Sequence, residues 1–85
     1  ILGGDGVDKL YGNGGDDEID GGTGVDFISG GNGNDLLLGG ADNDTITAGD
    51  GDDIIDAGAG NDLINAGSGF NTVDGGGGND TLSYA

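Results

Sequence analysis

A nine-residue repeat runs through the chain without an insertion or a deletion. Read from Gly3, nine blocks fill residues 3–83: GGDGVDKLY, GNGGDDEID, GGTGVDFIS, GGNGNDLLL, GGADNDTIT, AGDGDDIID, AGAGNDLIN, AGSGFNTVD and GGGGNDTLS. We number them blocks 1 to 9, and the residues within each block positions one to nine. A fixed period this short predicts stacked repeats, each of which contacts only its neighbours.

Position eight is aliphatic in every block: Leu10, Ile19, Ile28, Leu37, Ile46, Ile55, Ile64, Val73 and Leu82. Positions seven and nine on either side of it are mixed and often polar. An apolar residue between two polar ones is the period-two pattern of a β-strand. We therefore predict a three-residue strand in each block, with position eight facing the core and a loop over positions one to six.

Two positions of the loop accept only residues that tolerate a left-handed backbone. Position two is Gly except for Asn13, and position four is Gly except for Asp42. Gly, Asn and Asp are the residue types that adopt positive φ most readily. The sequence therefore predicts positive φ at both positions. Position one also accepts Ala, which predicts negative φ there.

The composition excludes several kinds of chemistry. The chain has 17 acidic residues, one basic residue and no His or Cys, which gives a formal charge of −16. Without His or Cys it cannot form a zinc site, a thiol nucleophile or a Ser-His couple, and we expect no catalytic residues in it. The negative charge repels phosphates and anionic lipids, so we expect no nucleic-acid partner and no membrane insertion.

The array resembles the RTX (repeats-in-toxin) calcium-binding nonapeptide arrays of secreted bacterial toxins, proteases, lipases, epimerases and adhesins. The resemblance rests on the pattern G-G-x-G-x-D-x-U-x, where U is a large aliphatic residue, over residues 3–83. It implies an all-β parallel β-roll, a β-helix-like solenoid with two nonapeptides per turn and about four and a half turns. Odd-numbered strands would form one short-stranded parallel sheet and even-numbered strands the other.

Position six would then bring acidic side chains close together. Its residues are Asp8, Asp17, Asp26, Asp35, Asp44, Asp53, Asp62, Asn71 and Asp80. Neighbouring strands lie about 4.8 Å apart, and two carboxylates at that distance repel by roughly 1 kcal/mol even in water. A calcium ion, which prefers six to eight oxygen ligands, would remove this repulsion. The resemblance therefore implies that these side chains bind Ca²⁺.

Backbone carbonyls of positions one to four are expected to complete the sites. Carbonyls alternate in direction along an extended loop, so positions one and three would face one neighbouring loop, and positions two and four the other. The expected carbonyl ligands are Gly3, Asp5, Gly12, Gly14, Gly21, Gly22, Thr23, Gly24, Gly30, Gly31, Asn32, Gly33, Gly39, Gly40, Ala41, Asp42, Ala48, Gly49, Asp50, Gly51, Ala57, Gly58, Ala59, Gly60, Gly67, Gly69, Gly76 and Gly78. Each site would join a block to the second block after it, which allows up to about seven Ca²⁺ ions and a change in formal charge from −16 to −2.

Departures from the pattern predict differences between the sites. Block 8 carries Asn71 at position six, so we expect the site between blocks 6 and 8 to be the weakest, with the amide oxygen as a remaining ligand. Asp42 is expected to strain its loop. The acidic residues outside position six are expected to face solvent; they are Asp5, Asp16, Glu18, Asp20, Asp42, Asp50, Asp52, Asp56 and Asp74.

Two further interpretations concern an EF-hand and the outward apolar residues. The segment that begins at Asp16 has the start of an EF-hand loop, but the bidentate Glu needed at the twelfth position is Phe27 here. Leu36 and Ile54 are 18 residues apart and would lie on adjacent even-numbered strands, with Leu38 beside them. We hypothesise a lateral protein contact through these three residues, the alternative being ordinary scattered apolar exposure.

Two functions fit the sequence. In the first, which the RTX resemblance implies, the segment belongs to a bacterial protein exported unfolded by type I secretion. It folds on binding Ca²⁺ outside the cell or at the cell surface, and supports the folding of an attached domain. In the second, the calcium-stabilised roll is a rigid structural or adhesive stalk of an adhesin or S-layer protein.

The expected partners are calcium ions and flanking domains of the same chain, whose parent protein could be an enzyme. We expect residues 1–85 to be one RTX segment of a longer secreted protein, because Ile1-Leu2 and Tyr84-Ala85 match the cut ends of neighbouring blocks.

Overall fold

The computed structural model describes residues 1–84, which form nine β-strands, one in each block. The strands are β1 (Lys9–Tyr11), β2 (Glu18–Asp20), β3 (Phe27–Asn32), β4 (Leu36–Gly40), β5 (Thr45–Asp50), β6 (Ile54–Gly58), β7 (Leu63–Asn65), β8 (Thr72–Asp74) and β9 (Thr81–Ser83). No helix in this part of the chain is long and apolar enough to cross a membrane. Ala85, which we assigned with Tyr84 to a cut end, lies outside the described residues.

Successive strands alternate between two parallel sheets. One sheet has the order β1-β3-β5-β7-β9 and the other the order β2-β4-β6-β8. Paired residues are 18 apart in number, as Ile28 and Ile46 are in one sheet and Leu37 and Ile55 in the other. Each turn therefore contains two blocks, and the predicted parallel β-roll is confirmed.

The core is a thin layer of position-eight side chains between the two sheets. Its buried members are Ile19, Ile28, Leu37, Ile46, Ile55 and Ile64, with Leu10 and Val73 partly buried against them. Leu82, on the edge strand β9, is 43% exposed. Three residues that we had not predicted also belong to the core, the position-one alanines Ala48, Ala57 and Ala66.

The four central strands are longer than the predicted three residues. Strands β3 and β5 have six residues each, and β4 and β6 have five, so they continue into the first positions of the next block. The pairing of β3 with β5 extends to Gly31 with Gly49 and to Asn32 with Asp50. The prediction of a loop over these positions was wrong, because stacked loops in register pair through their backbone N–H and C=O groups as strands do.

The backbone prediction for positions two and four is confirmed. All 16 glycines at these positions have positive φ, as do Asn13 at 73° and Asp42 at 76°, and no position-one residue does. Close stacking adds a second requirement for glycine. A Cβ on Gly31, whose φ is 98°, would collide with the carbonyl oxygen of Asn13 in the loop below.

The apolar residues on the even-numbered sheet lie side by side, as the spacing predicted. Leu36 is directly opposite Ile54 in the pairing of β4 with β6, and Leu38 follows on the same strand. Ile54 is 54% exposed, whereas Leu36 and Leu38 are half-buried. Their use as a lateral contact stays a prediction.

Candidate metal centre

Position six forms two hydrogen-bonded columns, one for each parity of block. The backbone N–H of a position-six residue donates to Oδ1 of the position-six residue two blocks later, as from Asp35 to Asp53 and from Asp44 to Asp62, both at 2.8 Å. The odd-numbered column contains Asp8, Asp26, Asp44, Asp62 and Asp80, and the even-numbered column contains Asp17, Asp35, Asp53 and Asn71. These bonds orient one oxygen of each side chain along its column.

In seven of the position-six aspartates, the second carboxylate oxygen is buried and has no hydrogen-bond partner. The buried, unpaired Oδ2 atoms are those of Asp8, Asp17, Asp26, Asp35, Asp44, Asp53 and Asp62. Five of these residues, Asp26 to Asp62, are only 1–2% exposed. Buried polar groups are normally satisfied, because an unpaired one loses its hydration without compensation. The columns therefore present buried anionic oxygens that a cation could satisfy.

At several position-one glycines, a backbone carbonyl oxygen and an unpaired carboxylate oxygen lie close to the same point. Oδ2 of Asp17 and the carbonyl oxygen of Gly30 both lie 2.6 Å from the place that a Cβ on Gly12 would occupy. The same convergence occurs around Gly21, where the distances are 2.7 Å to Oδ2 of Asp26 and 2.6 Å to the carbonyl of Gly39. Two acceptors without a donor repel each other, and an oxygen-only donor set of this kind fits a hard cation such as Ca²⁺.

The carbonyls of the loops alternate in direction as predicted. The N–H of Asn32 donates to the position-two carbonyl of Asn13, two blocks earlier, at 2.7 Å. The N–H of Gly33 donates to the position-three carbonyl of Asp50, two blocks later, at 3.0 Å. Position-two carbonyls thus face the following loop and position-three carbonyls the preceding one.

The structure separates the predicted carbonyl ligands into two groups. The position-one carbonyls of Gly21, Gly30, Gly39, Ala48 and Ala57 are brought near the unpaired carboxylates. Carbonyls that instead accept a backbone hydrogen bond from a neighbouring loop include those of Gly22, Thr23, Gly40, Gly49 and Asp50. The first group lies beside the carboxylate columns, and each carbonyl of the second group keeps one lone pair besides its hydrogen bond.

Burial raises the pKa of several carboxyl groups in the columns. The pKa of Asp44 rises to about 6, mainly through loss of hydration, and the nearby charges of Asp62, Asp26 and Asp42 add to the rise. A hydrogen bond from the backbone of Asp26 acts in the opposite direction. The pKa values of Asp53 and Asp62 are also raised, again mainly by burial. The interior of the roll thus disfavours the charged carboxylates that the sequence places there.

Asn71 keeps the hydrogen bond of the position-six column and adds two that an aspartate cannot make. Its Oδ1 accepts a hydrogen bond from the backbone N–H of Asp53 at 2.8 Å. Its Nδ2 donates to the carbonyl of Ala66 at 2.9 Å and to that of Ser68 at 3.3 Å. The amide oxygen that we expected to act as a ligand therefore continues the column of hydrogen bonds.

The acidic residues outside position six face solvent as predicted, except that Asp20 is half-buried. Several of them also form hydrogen bonds that we had not predicted. At position five, Oδ1 of Asp16 accepts from the N–H of Asn34, and Oδ1 of Asp52 accepts from the N–H of Phe70. Position five is Asn or Asp in six of the nine blocks, and that restriction is the sequence signal for this second column.

No group of three or more acidic side chains in residues 1–84 is arranged to hold an ion by itself. This agrees with sites in which the carboxylates of position six are combined with backbone carbonyls.

Comparison with known proteins gives one match. The family model for the RTX calcium-binding nonapeptide repeat (4 copies) matches residues 1–28, 29–64 and 57–84. The searches of curated proteins and of solved structures found no match. The match extends over nearly the whole chain and agrees with the repeat, the parallel roll and the acidic columns. The chain therefore belongs to the RTX calcium-binding nonapeptide repeat family.

Proposed function

We propose that this calcium-binding structural module is nearly unfolded where calcium is scarce and folds into the roll when Ca²⁺ binds. The observation that carries the proposal is the row of buried Oδ2 atoms without a hydrogen-bond partner. Each of them opposes folding in the metal-free chain and favours it once a cation is bound. The position-six carboxylates and the position-one carbonyls would hold the ions.

The energetic basis is linkage between binding and folding. An ion that binds only the folded chain stabilises it by an amount that grows with the ion concentration. Calcium sites of extracellular modules typically have dissociation constants of about 10⁻⁴–10⁻³ M, whereas cytosolic calcium sensors bind more tightly. We infer that the roll forms outside the cell and stays unfolded inside it.

This behaviour suits a secreted protein. RTX repeat proteins are typically secreted by bacteria, and a chain that stays unfolded in the cytoplasm can be exported by type I secretion in an extended form. We propose that the roll then provides a folded surface on which an attached domain completes its own folding. We assign no catalytic role to the segment, because a carboxylate engaged with calcium is a poor general base.

The proposal is tested by titrating the chain with calcium while far-UV circular dichroism is recorded, with magnesium as the control ion. A cooperative transition from coil to β-structure is expected with calcium alone, since magnesium requires stricter octahedral geometry and retains its water. A β-rich spectrum in the presence of chelator would contradict calcium-dependent folding. A chain that stays unordered at millimolar calcium would contradict it as well.

The second candidate is a rigid stalk. It is favoured by the constant 18-residue pairing through both sheets, which gives successive turns the same register. The two candidates differ in their effect on an attached domain. If the roll assists folding, calcium should raise the refolding yield of a calcium-insensitive reporter fused to it. A stalk would leave that yield unchanged.

A further inference from the structure

At the step between blocks 6 and 8, a side-chain amide donates to two carbonyl oxygens of block 8. Block 8 is the one block with an amide at position six. Nδ2 of Asn71 donates to the carbonyls of Ala66 and Ser68, positions one and three of its own loop. Position-three carbonyls elsewhere face the preceding loop of the same parity, so these are the oxygens that block 8 would offer to an ion shared with block 6.

The blocks with an aspartate at position six lack this arrangement. An aspartate has an acceptor, Oδ2, where Asn71 has a donor. In Asp44 and Asp62 that oxygen is buried and unpaired. The amide nitrogen thus provides hydrogen-bond donors where the other blocks have an unpaired acceptor. It makes two hydrogen bonds and adds no charge.

We propose that the amide of Asn71 takes the place of the calcium ion between blocks 6 and 8. This inference rests on the proposed function, because it assumes that the other steps bind calcium. An ion at this step would have to displace two hydrogen bonds, and block 8 would offer it no carboxylate in return. The array therefore binds one ion fewer than its seven steps, four in the odd-numbered column and two in the even-numbered column.

The pairing of β6 with β8 is present at this step, and Oδ2 of Asp53 in block 6 stays buried without a partner. The two strands are already joined through Ile54 with Thr72, Ile55 with Val73 and Asp56 with Asp74. The amide of Asn71 withdraws the two carbonyl oxygens of block 8 from an ion, while block 6 keeps its carboxylate. Asn71 is thus a residue that determines where the array binds ions.

The first test counts the bound ions by equilibrium dialysis at saturating calcium. We expect Asn71→Asp to bind one more ion than the wild type. The matched control is Asp35→Asn in the same column, whose new amide can reach the carbonyls of Gly30 and Asn32. It should bind at least one ion fewer. Equal counts for the wild type and Asn71→Asp would overturn the inference. Absence of binding in all three proteins would instead overturn the proposed function on which it rests.

The second test observes the amide itself by NMR in the calcium-loaded wild type. The side-chain amide protons of Asn71 should exchange slowly with solvent because both carbonyl bonds protect them. The matched control is the exposed Asn61, whose side chain only accepts a hydrogen bond, from the N–H of Asn79. Its amide protons should exchange fast. Equally fast exchange at Asn71 would mean that its amide does not hold the two carbonyl oxygens, and the inference would fail.

Discussion

The position-six aspartates have opposite effects on the roll with and without an ion. In the metal-free chain, Oδ2 of Asp44 is buried without a donor, and its residue is only 2% exposed. With an ion bound, the same oxygen becomes a ligand. Substitution at this position should therefore change the metal-free and the calcium-loaded stability in opposite directions.

We predict that Asp44→Asn stabilises the metal-free roll and weakens its response to calcium. The new amide can donate to carbonyls of its own loop, as Asn71 does. Loss of one carboxylate should raise the calcium concentration at the folding midpoint on the order of ten-fold, since ligand charge tunes affinity. Circular dichroism measures both effects. The control is Asp56→Asn on the exposed face, which should match the wild type. A midpoint unchanged in Asp44→Asn would exclude Asp44 as a ligand.

The raised pKa of Asp44 predicts a pH dependence for the metal-free chain. The carboxyl group titrates near 3.8 when unperturbed and at about 6 in the roll, so the folded state binds the proton more tightly. Its contribution to stability is therefore fully present below about pH 4 and is lost as the pH rises through about 6.

The measurement is the fraction of β-structure, from far-UV circular dichroism, in chain freed of calcium by a chelating resin, recorded at pH 4.5 and pH 7.5. We expect greater stability at the lower pH. At limiting calcium the roll should instead be more stable at the higher pH, because protons compete with the ion for the same oxygens. Greater stability of the metal-free chain at pH 7.5 would show that burial does not dominate these carboxyl groups.

At the scale of the elements, the loops that follow the central strands pair with one another as the strands do. Their backbones pair in register and approach so closely that no Cβ fits at Gly31. Position three has no such restriction, since a Cβ on Gly14 would meet nothing within 4 Å. The two glycines therefore provide a matched pair of substitutions.

We predict that Gly31→Ala destabilises the calcium-loaded roll by at least about 1–2 kcal/mol, the usual cost of a left-handed backbone for a residue with a Cβ. The collision with the Asn13 carbonyl adds to that cost. Gly14→Ala should have a much smaller effect. Urea unfolding at saturating calcium measures both variants. Equal stability of the two would mean that the loops do not stack as closely as the structure has them.

The strands and turns could be predicted from the repeat because each depends on residue type within one block. Position eight indicated the core, and Asn13 and Asp42 identified the left-handed positions. The lengths of β3 to β6 depend instead on how neighbouring loops pair, which no single block encodes. The sequence also indicated an altered site at Asn71 but not the two carbonyls that its amide contacts, because those contacts depend on the folded shape of its own loop.

For the whole molecule, a calcium-dependent fold predicts a large change in dimensions. The roll has a radius of gyration of 11.0 Å and measures 27 × 23 × 15 Å. An unfolded chain of this length has a radius of about 29 Å, and its charge favours expansion. Small-angle X-ray scattering should therefore record a decrease from about 29 Å to about 11 Å when calcium is added. A compact chain in chelator would mean that folding does not need the ion.

Because successive blocks alternate between two sheets, it matters whether an array gains or loses an odd or an even number of blocks. Inserting one nonapeptide would move every later strand to the opposite sheet, whereas inserting two would leave each strand in its own. A single extra block between β4 and β6 would place Leu36 and Ile54 on opposite sides of the roll, although neither residue had changed. Any surface that spans neighbouring turns is therefore preserved only when the array grows or shrinks in units of 18 residues.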